Sequence, residues 1–352
     1  MELLKQLVEM SGVPGREERV RKLVIEELSA HVDSITHDTM GNIIGYKAGT
    51  GPEPKGGRKT IFVAAHIDEI GFYVSYIDDK GFLRLQPAGG FDPRTMMAQR
   101  VTVMGRKDVP GVIGSKPVHI LTDEERKKVP AIKDYFVDVG LPKEKVDELI
   151  EVGDPVTMYR KMEVLGECLT CKTFDDRVGV YCMLEAIRKV RNNAHDLYIV
   201  GTTQEEVGLR GAWASASGIR PDVGIAVDVT LAIDVPGTPG PEEVSRLGDG
   251  AAISIMNGAS ITNHKLLKRF VELAKSNEIN YQMDVMPKGG TDAGGIQKAP
   301  GGCAVTTISI PCRYIHSTVE TVHKQDVIDV IDLLAAYLED PGDMDYTLVN
   351  VE

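Results

Sequence analysis

The sequence predicts an α/β fold in which a mixed, largely parallel sheet is sandwiched by helices and a β-rich, barrel-like domain is inserted. Two observations predict it. After Phe174, apolar runs of strand length alternate with segments of helical spacing. Between about 71 and 159, short β-prone segments are instead cut by Gly and Pro. The 352 residues suit two domains. We assign 1–69 with 166–352 to the α/β domain and 70–165 to the insertion.

The N-terminal part is predicted to form two helices and one buried strand. Apolar residues recur at helical spacing over 3–8 and again over 20–28. Residues 12–15, Gly-Val-Pro-Gly, separate the two helices. After a Gly- and Pro-rich loop over 49–57, the continuous apolar run 60–65 is typical of a strand buried on both faces.

The insertion is predicted to contain short strands, since its β-prone pieces are 71–77, 82–87, 100–105, 111–113 and, as its last strand, 155–159. The charged segment 123–133 is expected to form a surface helix or a loop.

The second half of the chain is predicted to alternate helix and strand. The helices are expected near 178–191, 209–217, 264–276 and 324–338, and the strands near 197–203, 223–229 and 304–310. Such alternation implies a largely parallel sheet covered on both faces.

The charge balance excludes several function classes. There are 40 Lys and Arg against 52 Asp and Glu, which gives a formal net charge of −12. No basic cluster is visible in the sequence, so nucleic acid is not expected as a partner. No window approaches the roughly 18 apolar residues of a membrane span. The N-terminus lacks a signal-peptide pattern, and we therefore expect a cytoplasmic protein without a membrane partner.

Five cysteines are thinly spread along the chain. An odd count in a long chain fits a reducing compartment better than a disulfide framework. Cys168 and Cys171 have metal-ligand spacing, but a zinc ribbon needs a second such pair and the sequence has none. We interpret them as ordinary thiols.

Polar side chains follow nearly every predicted strand of the α/β domain. In open α/β sheets, ligands bind at the carboxyl ends of the strands. The residues found there are His66 and Asp68 after the first strand, Glu205 and Glu206 after the second, Asp228 after the apolar run 223–227 of the third and His316 beyond the last, with Asp175 and Asp176 before a helix.

Taken singly, each of these features has an ordinary explanation, because turns and helix starts attract such residues. Together they place two histidines and several carboxylates along one sheet edge, with almost no Lys beside them. Gathered carboxylates repel one another unless a cation lies among them. We therefore predict two divalent metal ions, for which mixed His and carboxylate ligands favour zinc, cobalt or manganese over calcium.

Roles follow in outline from the residue types. His66 would give one ring nitrogen to a metal, while Asp68 accepts a hydrogen bond from the other. One carboxylate of the Asp175-Asp176 pair would bridge the two metals. Consecutive side chains diverge, so one of Glu205 and Glu206 would ligate and the other would act as general base on a water that attacks a carbonyl.

With these residues in hand, the sequence resembles the tetrahedral (TET) aminopeptidase family, cytoplasmic dinuclear metallopeptidases that include glutamyl and leucyl aminopeptidases. The resemblance covers nearly the whole chain. The matching motifs are AAHIDEIG at 64–71, TFDDR at 173–177, EEVGLRGA at 205–212, VDVT at 227–230, GGTDA at 289–293 and IPCRYIHS at 310–317.

The resemblance implies a more specific set of roles. His66 and Asp228 would bind one metal, Glu206 and His316 the other, and Asp175 would bridge them, with a cis peptide bond after it. Glu205 would be the general base and Asp68 the carboxylate that orients His66. The insertion would be the dimerisation domain of a twelve-subunit tetrahedral shell that admits short peptides.

The function expected is release of N-terminal amino acids from short peptides, with zinc foremost among the metals. One alternative is an endoglucanase-type glycoside hydrolase, since proteins that resemble this one have carried that label and paired carboxylates also cleave glycosides. A second is a non-catalytic shell or peptide-holding protein. We expect the pocket for the first residue of the substrate to be lined near 229–233, 256–262 and 289–295. Nothing there plainly presents a cation for an acidic side chain or an anion for a basic one, which favours substrates with a neutral or aliphatic N-terminal residue.

Overall fold

A computed structural model describes residues 1–348. It confirms the predicted fold class: among these residues, eleven strands form one mixed sheet and six others close into a barrel. The helices are α1 (Glu2–Glu9), α2 (Glu18–Leu28), α3 (Asp123–Arg126), α4 (Lys143–Leu149), α5 (Phe174–Lys189), α6 (Arg210–Ile219), α7 (His264–Ser276), α8 (Asp292–Gln297) and α9 (Lys324–Glu339).

The strands of the large sheet come from both ends of the chain. They are β1 (Ser34–His37), β2 (Ile43–Lys47), β3 (Thr60–His66), β10 (Glu163–Leu165), β11 (Cys168–Cys171), β12 (Asp196–Thr202), β13 (Val223–Leu231), β14 (Ala251–Met256), β15 (Tyr281–Val285), β16 (Ala304–Arg313) and β17 (Glu320–His323). Their order is β1-β2-β12-β3-β13-β16-β17-β11-β10, and β14 pairs with both β15 and β16.

The centre of this sheet is parallel and its flanks are antiparallel. Strands β12, β3, β13 and β16 run in the same direction, with Thr202 opposite His66 and Asp228 opposite Ser309. The outer pairs β1 with β2, β2 with β12, and β16 with β17 are antiparallel. The carboxyl ends of the four central strands therefore meet at one edge.

Helices cover both faces of the sheet, which explains why its central strands read as continuous apolar runs. On β3, Ile61, Val63 and Ala65 pack into the core formed with α1, α2, α5, α7 and α9. Phe62 and Ala64 point the other way, into the core formed with α6 and α8. This alternation follows from the two-residue period of a strand.

The barrel comprises β4 (Gly71–Ile77), β5 (Leu83–Ala88), β6 (Arg100–Met104), β7 (Asp108–Ser115), β8 (Tyr135–Asp138) and β9 (Pro155–Met158). All of its neighbouring strands are antiparallel, in the order β4-β5-β8-β7-β6-β9. It has its own apolar core, in which the Phe72 and Phe91 rings stack with their centroids 4.2 Å apart.

The barrel lies between β3 and the return of the chain to the large sheet. Strand β10, inside the predicted insertion, pairs with β11 of the large sheet, and the boundaries 1–69, 70–165 and 166–352 stay a prediction. Arg19 on α2 makes two hydrogen bonds to Asp108 on β7, at 2.7 and 2.6 Å, and the Tyr73 hydroxyl donates to the Pro14 carbonyl at 2.6 Å. These contacts hold the barrel against the N-terminal helices.

Segment 123–133, the cysteines and the lengths of the helices were each the subject of a prediction. Segment 123–133 contains the short helix α3, which begins with a capping box between Thr122 and Glu125. Cys168 and Cys171 lie at the two ends of β11, and all five cysteines are free thiols. Among the residues described, no helix has both the length and the apolar character needed to cross a bilayer.

Candidate metal centre

The residues predicted to form the site lie at the edge where the central parallel strands end. His66 is the last residue of β3, and Asp228 lies in β13, the next strand. The others are Asp68 just after β3, Glu205 and Glu206 after β12, His316 after β16, and Asp175 and Asp176 at the start of α5. The fold thus brings all eight side chains to one place.

Asp175 lies between the two histidines. Its Oδ1 is 3.0 Å from Nε2 of His66, and its Oδ2 is 3.3 Å from Nε2 of His316. One carboxylate therefore offers an oxygen toward each imidazole. A metal ion beside each histidine would have this carboxylate in common.

The two glutamates are placed differently. Glu206 Oε2 lies 3.3 Å from Nε2 of His316, while its Oε1 is buried without a hydrogen-bond partner. Glu205 Oε2 lies 3.9 Å from Nε2 of His66, beyond hydrogen-bond distance. Glu206 thus belongs to the His316 side of the cluster, and Glu205 is the less engaged of the pair.

Two overlapping groups of possible ligands are present among the described residues. Within each group the candidate ligand atoms lie within 4.8 Å of one another; one group is His66, Asp175 and Glu206, and the other is His66, Asp176 and Asp228. Asp176, however, already accepts hydrogen bonds from the backbone N–H groups of His66 and Gly179, both at 3.1 Å. Asp175, whose carboxylate faces both imidazoles, is the less constrained ligand of the two aspartates.

Asp68 contacts both His66 and the two glutamates. Its backbone carbonyl lies 3.2 Å from Nδ1 of His66, and its carboxylate Oδ1 lies 3.6 Å from the same nitrogen. The carboxylate oxygens accept hydrogen bonds from the backbone N–H groups of Glu205, at 3.1 Å, and Glu206, at 3.2 Å. The Asp68 residue therefore orients the His66 ring through its backbone and holds the glutamate turn through its side chain.

The backbone near the site has unusual conformations. The peptide bond between Asp175 and Asp176 is cis, as the resemblance implies. His316 has a φ of 62°, and Gln204, immediately before the glutamates, has a φ of 55°. Left-handed conformations cost a non-glycine residue about 1–3 kcal/mol and persist only where surrounding contacts maintain them.

Burial and mutual repulsion perturb the acidic groups. Burial raises the pKa of Glu205 and of Asp228 well above the usual range, and neighbouring carboxylates raise both further. Burial also acts to raise the pKa of Asp175, but hydrogen bonds and charges from His66 and His316 outweigh it and lower that pKa. The pKa of His316 is raised to about 12, since Glu206 and Asp175 outweigh the lowering effect of burial.

Among the described residues, acidic side chains outnumber basic ones in this cluster. Eight carboxylates lie in or beside it, against two imidazoles: Asp68, Asp175, Asp176, Glu205, Glu206, Asp228, Asp292 and Glu320. Buried anions are stable only when they are paired or coordinate a cation. Imidazole nitrogens mixed with carboxylate oxygens suit zinc, cobalt and manganese. The Oε1 atom of Glu206 has no hydrogen-bond partner and is available as a metal ligand. The residues present therefore fit divalent metal ions.

Two buried basic residues beside the site were missed by sequence reasoning. Lys172 and Arg177 are buried, but both pair with Glu69, Lys172 by a short ion pair and Arg177 at 3.8 Å. Because both are paired with Glu69, they do not neutralise the cluster. The sequence had led us to expect almost no basic residues nearby. The Arg177 guanidinium also donates to the carbonyls of Leu7, Met10 and Gly12, which ties the N-terminal segment to the start of α5.

Two further carboxylates, Asp292 and Glu320, were given no role. Asp292 accepts a short hydrogen bond from Thr202, its other oxygen has no partner, and burial raises its pKa to about 6. The GGTDA motif could have indicated it. Glu320 accepts backbone hydrogen bonds from Asp175 and His316, and no signal in the sequence marked it.

Comparison with known proteins gives a consistent result. The family model described as M42 glutamyl aminopeptidase matches residues 41–333. The lysyl aminopeptidase of Pyrococcus furiosus is 36% identical over 353 residues, covering 98% of this chain and 99% of that protein.

Solved structures extend the same similarity. An aminopeptidase from the archaeon Desulfurococcus kamchatkensis has a TM-score of 0.94 and 43% identity, covering 99% of this chain and 98% of that one. The TET1 peptidase of Pyrococcus horikoshii, which can assemble into a tetrahedron or a large octahedral shell, has a TM-score of 0.85 and 32% identity, covering 96% and 98%. One similar structure, from Thermotoga maritima, is described as an endoglucanase; it has a TM-score of 0.79 and 28% identity, covering 97% of each chain.

We expect zinc to stabilise the folded protein. A ligand that binds only the folded state stabilises it, so at a free Zn²⁺ concentration about 100 times its dissociation constant the free energy of unfolding should rise by about 2.7 kcal/mol. Thermal unfolding of chelator-treated protein, with and without added Zn²⁺, measures the effect. Glu206→Gln should reduce it, whereas Glu148→Gln, on an exposed helix face, should not. Equal stabilisation of Glu206→Gln and the wild type would contradict the assignment of Glu206.

Proposed function

The chain belongs to the M42 glutamyl aminopeptidase family, and on that premise we propose that it is a metal-dependent aminopeptidase that releases N-terminal amino acids from short peptides. The observation that carries this proposal is the Asp175 carboxylate, which lies within 3.3 Å of both histidine rings, with Glu205 left free beside them.

Five residues would hold two divalent ions. His66 and Asp228 would bind one ion, His316 and Glu206 the other, and Asp175 would contact both. The unpartnered Oε1 of Glu206 supports its assignment as a ligand. Zinc is the first candidate, with cobalt or manganese as alternatives, because all three accept imidazole and carboxylate ligands. When bound, such ions supply Lewis acidity, which polarises a carbonyl and makes water easier to deprotonate.

Glu205 would act as general base. Burial and the neighbouring carboxylates raise its pKa, which strengthens it as a base in its ionised form. It would take a proton from the attacking water and deliver it to the departing amine. Asp68 supports this role because its carboxylate holds the backbone N–H of Glu205 at 3.1 Å. Under this proposal, the two glutamates would divide into base and ligand by their positions relative to the two histidines.

Glycoside hydrolysis is not favoured as a second function. A retaining or inverting glycosidase needs two carboxylates and no metal-ligating histidine, whereas here both histidines contact Asp175. The chain has a single Trp, Trp213, which lies half-exposed on α6. A non-catalytic shell protein also explains the site less well than an aminopeptidase does, because such a protein would have no use for Glu205 beside a complete set of proposed metal ligands.

The N-terminal residue accepted would be neutral or aliphatic. Segments 229–233, 256–262 and 289–295, which we expect to line the substrate pocket, carry one charged side chain, Asp292. That carboxylate is buried and accepts a hydrogen bond from Thr202. These three described segments would therefore offer no free charged group to a charged substrate side chain.

Subunits would assemble through the barrel into a tetrahedral dodecamer. A similar protein, the TET1 peptidase of Pyrococcus horikoshii, assembles into shells. The barrel and its loops also expose several large apolar side chains, which on a monomer would be costly in water. They are Tyr76, Val112, Val118, Ile120, Val129 and Tyr159. Cytoplasmic location remains a prediction.

Light scattering should give a mass of twelve times the 38.4 kDa subunit. Val112→Asp, on the outer face of β7, should yield a smaller assembly, because it places a charge in the proposed contact. Ile328→Asp, equally exposed but on α9, is the matched control. A monomeric wild type, or a smaller assembly with Ile328→Asp alone, would overturn the proposed assembly.

Glu205→Gln should retain zinc but lose turnover. An amide cannot accept the proton, so we expect kcat to fall by about 10²–10⁴-fold. Elemental analysis and hydrolysis rates measured on the same preparation test this, with Glu206→Gln, which should lose zinc, as the comparison. Loss of zinc from Glu205→Gln would instead mean that the two glutamates have exchanged roles.

Substrate class can be tested with aminoacyl-p-nitroanilides, their N-acetylated forms and carboxymethylcellulose, each with and without a chelator. We expect cleavage only of substrates with a free amino terminus, fastest for neutral aliphatic residues, and its loss on metal removal. Peptidase activity that survives complete metal removal would exclude the proposed mechanism. Chelator-insensitive cleavage of cellulose would favour the glycosidase alternative.

A further inference from the structure

We infer that Glu320 is a positioning residue that holds the bridging ligand Asp175 and the ligand His316 in place relative to each other. Its Oε2 accepts a hydrogen bond from the backbone N–H of Asp175 at 3.0 Å. Its Oε1 accepts one from the backbone N–H of His316 at 2.8 Å. The inference rests on the proposed function, because it concerns the ligands assigned there.

The fold explains why one side chain can reach both segments. Glu320 begins β17, where it lies opposite Cys171 of β11, four residues before Asp175. It also follows His316 by four residues, at the far side of the loop that leaves β16. Two segments that are 141 residues apart in the chain thus meet at a single carboxylate.

Both held segments need a constraint. His316 has a φ of 62°, a conformation that a non-glycine residue keeps only when its surroundings enforce it. The hydrogen bond from its N–H to Glu320 is such a contact. Asp175 must present one oxygen to each histidine, and fixing its N–H limits how far the carboxylate can move. Losing Glu320 would free both ends of the Asp175–His316 contact.

A carboxylate suits this position better than any other side chain. It provides two acceptors and no donor, whereas Gln would accept one N–H and direct its own NH₂ group toward the other. An apolar residue would leave two buried backbone N–H groups unpaired. Glu320 is buried and adds a negative charge beside other carboxylates. Its presence there is therefore explained by the two backbone contacts rather than by charge balance.

The chain contains a matched control. Asp326 is also fully buried, and its carboxylate also accepts two backbone hydrogen bonds, from Gly248 at 2.8 Å and Gly250 at 3.0 Å. Neither partner is a proposed ligand. Substituting Asp326 by Asn therefore removes the same kind of structural support without acting on Asp175 or His316.

The experiment compares wild type, Glu320→Gln, Glu320→Asp and Asp326→Asn in the full chain. Hydrogen–deuterium exchange of the metal-free proteins reports on peptides that contain the Asp175 and His316 amides. Competition with a chromophoric chelator gives the Zn²⁺ dissociation constant, and steady-state rates at saturating zinc separate kcat from KM.

We expect Glu320→Gln to speed exchange in both peptides and to raise the Zn²⁺ dissociation constant by about 10–100-fold, the range for residues that orient metal ligands. At saturating zinc, kcat should fall while KM changes less than twofold. Asp326→Asn should lower the melting temperature but leave the dissociation constant within twofold. If Glu320→Gln fails to fold, Glu320→Asp serves as the second variant, since it keeps the charge but is one methylene shorter. It should lose exchange protection in at least one of the two peptides and bind zinc more weakly.

The inference would be overturned by a folded Glu320 variant that keeps both the zinc affinity and the exchange protection of the wild type. An equal loss of affinity in Asp326→Asn would also overturn it, since the effect would then be general destabilisation. If the wild type binds no zinc, the proposed function fails, but the exchange measurement still decides whether Glu320 holds the two segments.

Discussion

The site depends on one carboxylate that two histidines approach from different segments of the chain. Asp175 lies 3.0 Å from the His66 ring and 3.3 Å from the His316 ring, yet these three residues come from β3, the start of α5 and the loop after β16. Their convergence requires that neighbouring parallel strands end at the same edge of the sheet. The sheet must therefore form before any of these residues can act together.

A recurring arrangement then keeps that cluster in order. Three carboxylates each accept two backbone N–H groups: Asp68 from the glutamate turn, Asp176 from His66 and Gly179, and Glu320 from Asp175 and His316. These hydrogen bonds connect segments that are distant in the chain. They also add buried negative charge, which explains why the site as a whole favours a cation. The carboxylates that support the cluster thus also add to the negative charge that a bound cation would balance.

Much of the fold could be predicted because its signals are local. The apolar run of β3 and the helical spacing of α7 and α9 are properties of short windows, and each was found within a few residues of its observed bounds. Elements without such a window were missed. Strand β1 is polar and largely exposed, and β15 pairs only with β14 at the edge of the sheet. Their strand conformation depends on partners that no local pattern specifies.

The sequence by itself determined which chemistry is available: two histidines and several carboxylates placed just beyond predicted strands, in an order that resembles a known family. The residue types alone left open how Glu205 and Glu206 divide their work, and the resemblance implied Glu205 as base and Glu206 as ligand. Only the tertiary structure separates Glu206, beside His316, from Glu205, which stands apart, and only it reveals Glu320 as a partner of both Asp175 and His316. The physical reason is that the type of side chain is a local property, whereas hydrogen bonds between segments more than 100 residues apart depend on how the whole sheet assembles.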